Sequence, residues 1–182
     1  LLIESMLIAA YALEVRNAFV YMRGEFDLPY RRLTAALDEA YEAGWVGERI
    51  LGTDFACDIV VYRGAGSYVC GEASALITSI EGKRGYPRNR PPRLTVKGLY
   101  QKPTVINNVE TLSNIAWIIN NGGEAFKKVG TEKSPGTRLI SISGHINRPG
   151  VYEIEIGYPW AKFIYEDCGG ILNGRALKGI IP

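Results

Sequence analysis

The sequence predicts an α/β chain in two parts: a parallel strand-helix-strand unit with a ligand crevice, then a smaller unit built on a hairpin and a helix. Three observations predict it. Two short apolar runs, Asn17–Met22 and about Cys57–Tyr62, flank a strongly amphipathic helical stretch. The second run breaks into the glycine turn Gly64-Ala65-Gly66 just before a helical start, which is where an open α/β sheet holds its ligands. Beyond about residue 130 the pattern changes to two alternating strands around a Pro-Gly turn, so we place the boundary between residues 1–130 and 131–182.

The composition admits this architecture and excludes others. With 182 residues, 47% hydrophobic and 22% charged, the chain can bury a real core and is not a disordered one. A formal charge of +2, with dispersed basic residues, gives no electrostatic case for nucleic acid. The three cysteines, Cys57, Cys70 and Cys168, lie far apart without a C-x-x-C, so neither a zinc site nor a disulfide framework is indicated and a reducing compartment is expected. The lone histidine, His145, has no partner motif and reads as a turn residue.

In chain order, Leu2, Ile3, Met6, Leu7, Ala10 and Leu13 repeat at helical spacing. That apolar run contains Glu4 and ends by Val15, too short for a bilayer span and without the basic lead of a signal peptide. After the strand at Asn17–Met22, the set Tyr30, Leu33, Leu37, Ala40 and Tyr41 marks a helix from Tyr30 to Ala43, ended by Gly44. The strand near Cys57–Tyr62 follows, then the glycine turn and a helix from about Glu72 to Ile80. Asn107 and Asn108 precede a helix whose core side carries Leu112, Ile115, Ile118 and Ile119. Strands at Thr137–Ser143 and Val151–Ile156, a helix from about Pro159 to Asp167, and a strand beginning at Leu177–Ile181 complete a ββαβ order.

The glycine turn is the candidate site. Gly64 and Gly66 can take positive φ and admit close approach, and Gly71 would let a planar ring lie against the main chain. Tyr68 offers an aromatic surface and Glu72 an acceptor for a ligand donor. A strand-to-helix loop whose glycines serve geometry alone explains the pattern equally well, because the spacing matches neither G-x-G-x-x-G nor a Walker loop. Lys83, Arg84, Arg88, Arg90 and Arg93 form a basic, proline-stiffened loop that could meet phosphates or simply be solvated. One of Asn107 and Asn108 is explained by helix capping; two asparagines plus Thr111 are not.

Taken jointly, Gly64-Ala65-Gly66-Ser67-Tyr68-Val69-Cys70-Gly71-Glu72, Glu81-Gly82-Lys83-Arg84-Gly85, Pro87-Arg88, Pro91-Pro92 and Asn107-Asn108-Val109-Glu110-Thr111 closely resemble the flavin-carrying, NADH-oxidising subunit of respiratory complex I. Equivalent subunits occur in NAD-linked hydrogenases and formate dehydrogenases. The resemblance implies a partial Rossmann-like FMN domain followed by a ubiquitin-like β-grasp, soluble-ligand-binding domain. It implies hydride transfer from NADH to FMN, then passage of electrons through iron–sulfur clusters to quinone.

Residue by residue, the resemblance implies that Gly71, Glu72, Asn107, Asn108 and Thr111 contact FMN and that Tyr68, Ala73, Arg90 and Arg93 line the NADH site. It implies no catalytic side chain, since the flavin takes the hydride and the protein holds two rings face to face. A [4Fe–4S] cluster is expected from a region beyond Pro182 and the rest of the flavin pocket from a region before Leu1, so the chain reads as an internal fragment, inactive alone and without tight FMN binding. The implied partners are subunits of a multi-subunit redox complex, above all a small iron–sulfur subunit. Location is then cytoplasmic, at most peripheral to a membrane through that complex. Where the family carries a second glutamate this chain has Ala73, and Arg90 and Arg93 stand where a lysine and an aromatic are usual, so the pocket is expected to tolerate NADPH beside NADH. The alternative is a non-catalytic module that docks a partner subunit.

Overall fold

The computed structural model describes residues 1–181 and divides into two compact units, Leu1–Ala116 and Trp117 onward. The first is organised on a two-stranded parallel sheet. β1 (Asn17–Met22) and β2 (Asp58–Arg63) pair in register from Asn17 opposite Asp58 to Met22 opposite Arg63. They are joined through α2 (Asp27–Glu42), whose first turn starts three residues earlier than the apolar repeat indicates because Asp27 is held by Arg31 and Arg63. An acidic side chain in the first turn also faces the positive end of the helix dipole.

One face of the unit is a core of Met6 and Ala10 from α1 (Leu2–Ala12), Val20 from β1, Leu37 and Ala40 from α2, and Ile59 from β2, closed by Val46, Ile50 and Cys57. Ser5 is fully buried within α1, and its hydroxyl accepts the Ala116 N–H at 3.4 Å. A second cluster holds α3 (Ala73–Ile80), where Ile77 and Ile80 pack with Leu99 against Phe19, Tyr21 and Tyr62. Tyr21 and Tyr62 are opposite each other in the ladder and stack at 5.5 Å, and both hydroxyls reach Ser79: Tyr21 its Oγ at 3.1 Å, Tyr62 its carbonyl at 2.9 Å. This fixes α3, and with it the glycine turn, to the sheet.

The stretch expected to be one helix after Asn108 is two, α4 (Val109–Ser113) and α5 (Ile115–Asn121), broken where the Asn114 side chain donates to the Glu110 carbonyl at 2.9 Å. Ala116 is its buried residue, whereas Ile119, expected on the core side, is 67% exposed.

In the second unit α6 (Gly123–Phe126) precedes an antiparallel pair, β3 (Thr137–Ile142) and β4 (Gly150–Glu155). α7 (Trp160–Lys162) runs directly into a π-helical turn, Phe163–Asp167, so the expected helix over 159–167 changes winding midway. The gain is burial: Phe163, Ile164 and Cys168 are sealed with Ile146 in this unit's own core. The expected strand at Leu177–Ile181 does not form. Those residues find no strand partner among the described residues, and Ile181 is 99% exposed. Pro182 lies outside the described residues. No helix among them is long and apolar enough to cross a membrane.

Candidate functional site

β2 ends on Arg63, whose guanidinium donates to the Gly24 carbonyl at 2.7 and 3.0 Å, pairs with Asp27 and lies over the Tyr30 ring at 5.3 Å. The chain then turns. Gly64 does not take the positive φ that the sequence allows; it is glycine because a side chain there would collide with the Tyr21 ring. Gly66 serves the turn itself, at φ +81° beside the Glu25 carboxylate. A short 3₁₀ turn, Tyr68–Gly71, carries the chain to α3.

This turn displays two expected site residues. Tyr68 is 93% exposed, an aromatic face with no protein packed on it. Gly71 has an ordinary φ, and a Cβ built on it would have nothing within 4 Å. Neither the turn nor the packing of this chain requires glycine at 71, so the space beside it is available to a ligand.

Glu72 caps α3. Its Oε2 accepts the Ser74 and Ala75 N–H groups, both at 2.9 Å, and the Ser74 hydroxyl; its Oε1 pairs with Arg90 Nη2 at 3.2 Å. The Ser74 hydroxyl bond foremost, then the Ala75 and Ser74 N–H groups and Arg90, outweigh burial and hold the carboxyl below its ordinary value. Ala73 follows as the half-buried first residue of α3.

The basic loop is divided between two duties. Arg88 turns inward: Nε donates to Thr78 Oγ1 at 3.0 Å, Nη1 to the Gly98 carbonyl at 3.2 Å, and Nη2 pairs with Glu81 at 2.7 Å, while its backbone N–H reaches Ser74 Oγ at 2.8 Å. It is therefore no phosphate ligand. Glu81, its side chain 6% exposed, also accepts the Tyr100 N–H at 2.9 Å. Burial pushes its carboxyl upward, but the Arg88 bond and the Tyr100 N–H more than offset this, and the net direction is down. Arg84 lies over the Tyr86 ring at 5.0 Å. Arg93 is exposed and its carbonyl closes a turn with the Val96 and Lys97 N–H groups.

Two depressions flank the 83–87 segment. One of about 360 Å³ is lined by Ser74, Thr78, Arg88, Arg90, Pro92 and Lys97. The other, about 450 Å³, lies under the glycine turn against Tyr21, Ala65, Val69, Cys70 and Tyr86.

The structure thus joins Gly71, Glu72, Ala73 and Arg90 around one helix start, with Tyr68 in the preceding turn. Asn107, Asn108 and Thr111 stand on another segment, at the start of α4, which packs on α1. All three are exposed; Asn108 caps α4 by accepting the Glu110 N–H at 2.8 Å, and the Asn107 side chain has no hydrogen-bond partner among the described residues. Sequence reasoning passed over Ser74 and Glu81 as functional and read Arg88 as one of five cations that could meet phosphates, not as an inward clamp. The only signal for them was their place inside short motifs, since their partners lie across irregular loops.

Residues 1–117 match the family model for the Nuo51 FMN-binding domain. A subunit of the NADH-quinone oxidoreductase of Mycobacterium tuberculosis is 49% identical over 181 residues, covering all of this chain and 40% of the relative. A subunit of the same enzyme of Rhizobium meliloti is 44% identical over 181 residues, again over all of this chain and 43% of the relative. The chain therefore spans about two fifths of the length of these curated relatives. Among solved structures, NAD+-reducing [NiFe]-hydrogenase in the air-oxidised state superposes with a TM-score of 0.80 at 38% identity, over 94% of this chain and 28% of that one. The H2-reduced state gives 0.75 at 39% identity, over 85% and 26%.

Proposed function

The chain belongs to the Nuo51 FMN-binding domain family, and from that premise we propose that it is part of an NADH dehydrogenase flavoprotein subunit and supplies one wall of the site where NADH meets FMN. The observation that carries this reading is the junction of Gly71 and Glu72: an open main-chain face with no packing need for glycine, next to a fixed carboxylate. FMN, when bound, supplies hydride acceptance and one-electron release. The chain's own task is to hold and orient. Gly71 leaves room for a flat ring, Glu72 offers an acceptor, Asn107, Asn108 and Thr111 offer exposed polar groups, and Tyr68, Ala73, Arg90 and Arg93 border the nicotinamide dinucleotide.

In this reading the first unit is part of a Rossmann-like domain and the second, from about residue 131, a β-grasp platform. Such a subunit would work in a complex whose flavoprotein is cytoplasmic, beside a small iron–sulfur partner subunit, where a [4Fe–4S] cluster would supply onward electron transfer toward quinone. The likeness to the NAD+-reducing hydrogenase supports a second reading, the equivalent subunit of a hydrogenase. Ala73 and Arg93 favour some use of NADPH, which the ratio of NADPH to NADH oxidation rates in the complex measures; a strict NADH preference would reject it.

The test is Gly71→Leu in the full-length subunit within its complex. A side chain that costs the fold nothing should displace the flavin plane, and NADH:ferricyanide activity should fall on the order of 100-fold with loss of bound FMN. Full flavin content and unaltered activity would reject the reading.

A further inference from the structure

The two oxygens of the Glu72 carboxylate have unequal duties. Oε2 already receives three donors, the Ser74 and Ala75 N–H groups and the Ser74 hydroxyl. That hydroxyl cannot turn elsewhere. Ser74 is 1% exposed, and its oxygen accepts the Arg88 N–H at 2.8 Å, so its own proton is left pointing at Glu72. Arg88 is in turn clamped by Thr78, Glu81 and Gly98, which makes the whole arrangement rigid. Oε1 is different: among the described residues its one partner is Arg90, at 3.2 Å.

A ligand donor can therefore engage Glu72 only at Oε1, where it meets Arg90. The Arg90 side chain is 55% exposed and has no other polar partner among the described residues, so it can leave at little cost. A nicotinamide dinucleotide carries what each half of this pair needs, O–H and N–H donors for the carboxylate and phosphate oxygens for the guanidinium.

Resting on the dinucleotide reading above, we propose that Arg90 is a positioning residue that exchanges partners: it pairs with Glu72 Oε1 in the ligand-free chain and transfers to a phosphate oxygen when a ligand donor takes its place. Glu72 and the ligand phosphate then compete for one guanidinium. The pair holds the site closed to stray anions, and entry requires a ligand that brings both a donor and a phosphate.

Competition makes an unusual demand of mutants, opposite signs at two residues in contact. In the assembled complex with oxidised flavin, the dissociation constant of ADP-ribose, a non-reducible probe, should rise about tenfold in Arg90→Gln through loss of a charge-assisted contact. In Glu72→Gln, which keeps an acceptor but releases Arg90, it should fall, on the order of threefold. That gain should vanish in the double variant, and Arg90→Lys should lie between wild type and Arg90→Gln. Flavin content, measured by released fluorescence, should stay constant in the two Arg90 variants, since failed assembly would lower it; for Glu72→Gln and the double variant, which also alter the flavin border, the constants are compared on the flavin-loaded fraction. Weaker binding in both single variants, or no change in Arg90→Gln, overturns the exchange while leaving the dinucleotide reading intact. Absence of ADP-ribose binding by the unaltered complex overturns both.

Discussion

Arg88 shows how a residue can brace a candidate site from behind, with its guanidinium turned inward. Through its side chain and one backbone N–H it joins the start of α3, the end of α3 and the 98–104 loop, with Glu81 as the shared acceptor. Replacing Arg88 by Met should cost about 2 kcal/mol, because Glu81 is left with too few donors in a mostly dry place. The pH dependence follows from the sign of the Glu81 shift. A carboxyl lowered in the folded chain adds stability that is present above its unfolded pKa, about 4.3, and lost as pH falls through the folded value. Glu81→Gln should therefore lower the melting temperature most at neutral pH, and the gap to wild type should narrow below about pH 4 in acid melting curves. A gap that stays constant with pH would mean that the charge of Glu81 does not matter.

At this scale the sequence was readable where a residue acts locally and silent where it acts across loops. Asn108 as a cap follows from residue type and position and is found capping, whereas Glu72, read in the sequence as an acceptor for a ligand donor, spends one oxygen capping α3. Gly64 and Gly71 look alike in a string of letters but differ in space: one is packed against Tyr21, the other faces nothing. No periodicity separates them. The inward turn of Arg88, among four other cations, depends on Thr78, Glu81 and Gly98 arriving from elsewhere.

The elements with strong period and clear stops are the ones sequence located well. β1 has the expected bounds, β2 is displaced by one residue, and α2, α3 and the hairpin strands agree to within three. The departures have local causes: Asn114 breaks one helix in two, a π turn rewinds another, and Leu177–Ile181 meets no strand. That π turn carries a clear energetic consequence. Phe163 is fully buried and meets Tyr152 and Trp160 edge-on at 5.3 and 5.9 Å. Phe163→Ala should cost about 3–5 kcal/mol. By amide hydrogen exchange, protection should drop in β3, β4 and residues 160–171 and persist in β1 and β2. Equal loss in both sheets would show that the two cores do not melt as separate units.

For the whole molecule, composition indicated a folded chain able to bury a real core; the described residues form three buried clusters, a division that composition could not indicate. Family membership came from the joint motif, which is spread over loops that local patterning treats as filler. The chain covers about two fifths of the length of its relatives, and in the proposed function its residues supply one wall of the site.

The two sheets also differ in the order in which they can form. Every rung of the β1–β2 ladder joins residues 41 positions apart, so the whole loop containing α2 must close before any rung exists. The β3–β4 ladder starts at Ile142 opposite Gly150, only eight positions apart, and zips outward. Chain closure therefore favours the hairpin of the second unit as the early structure and makes the sheet beneath the glycine turn a late one. Pulse-labelled exchange during refolding should find β3 and β4 amides protected before those of β1 and β2, and the reverse order would refute this. On that schedule, the surface that carries Glu72 and Arg90 is completed last, when its supporting strands finally meet.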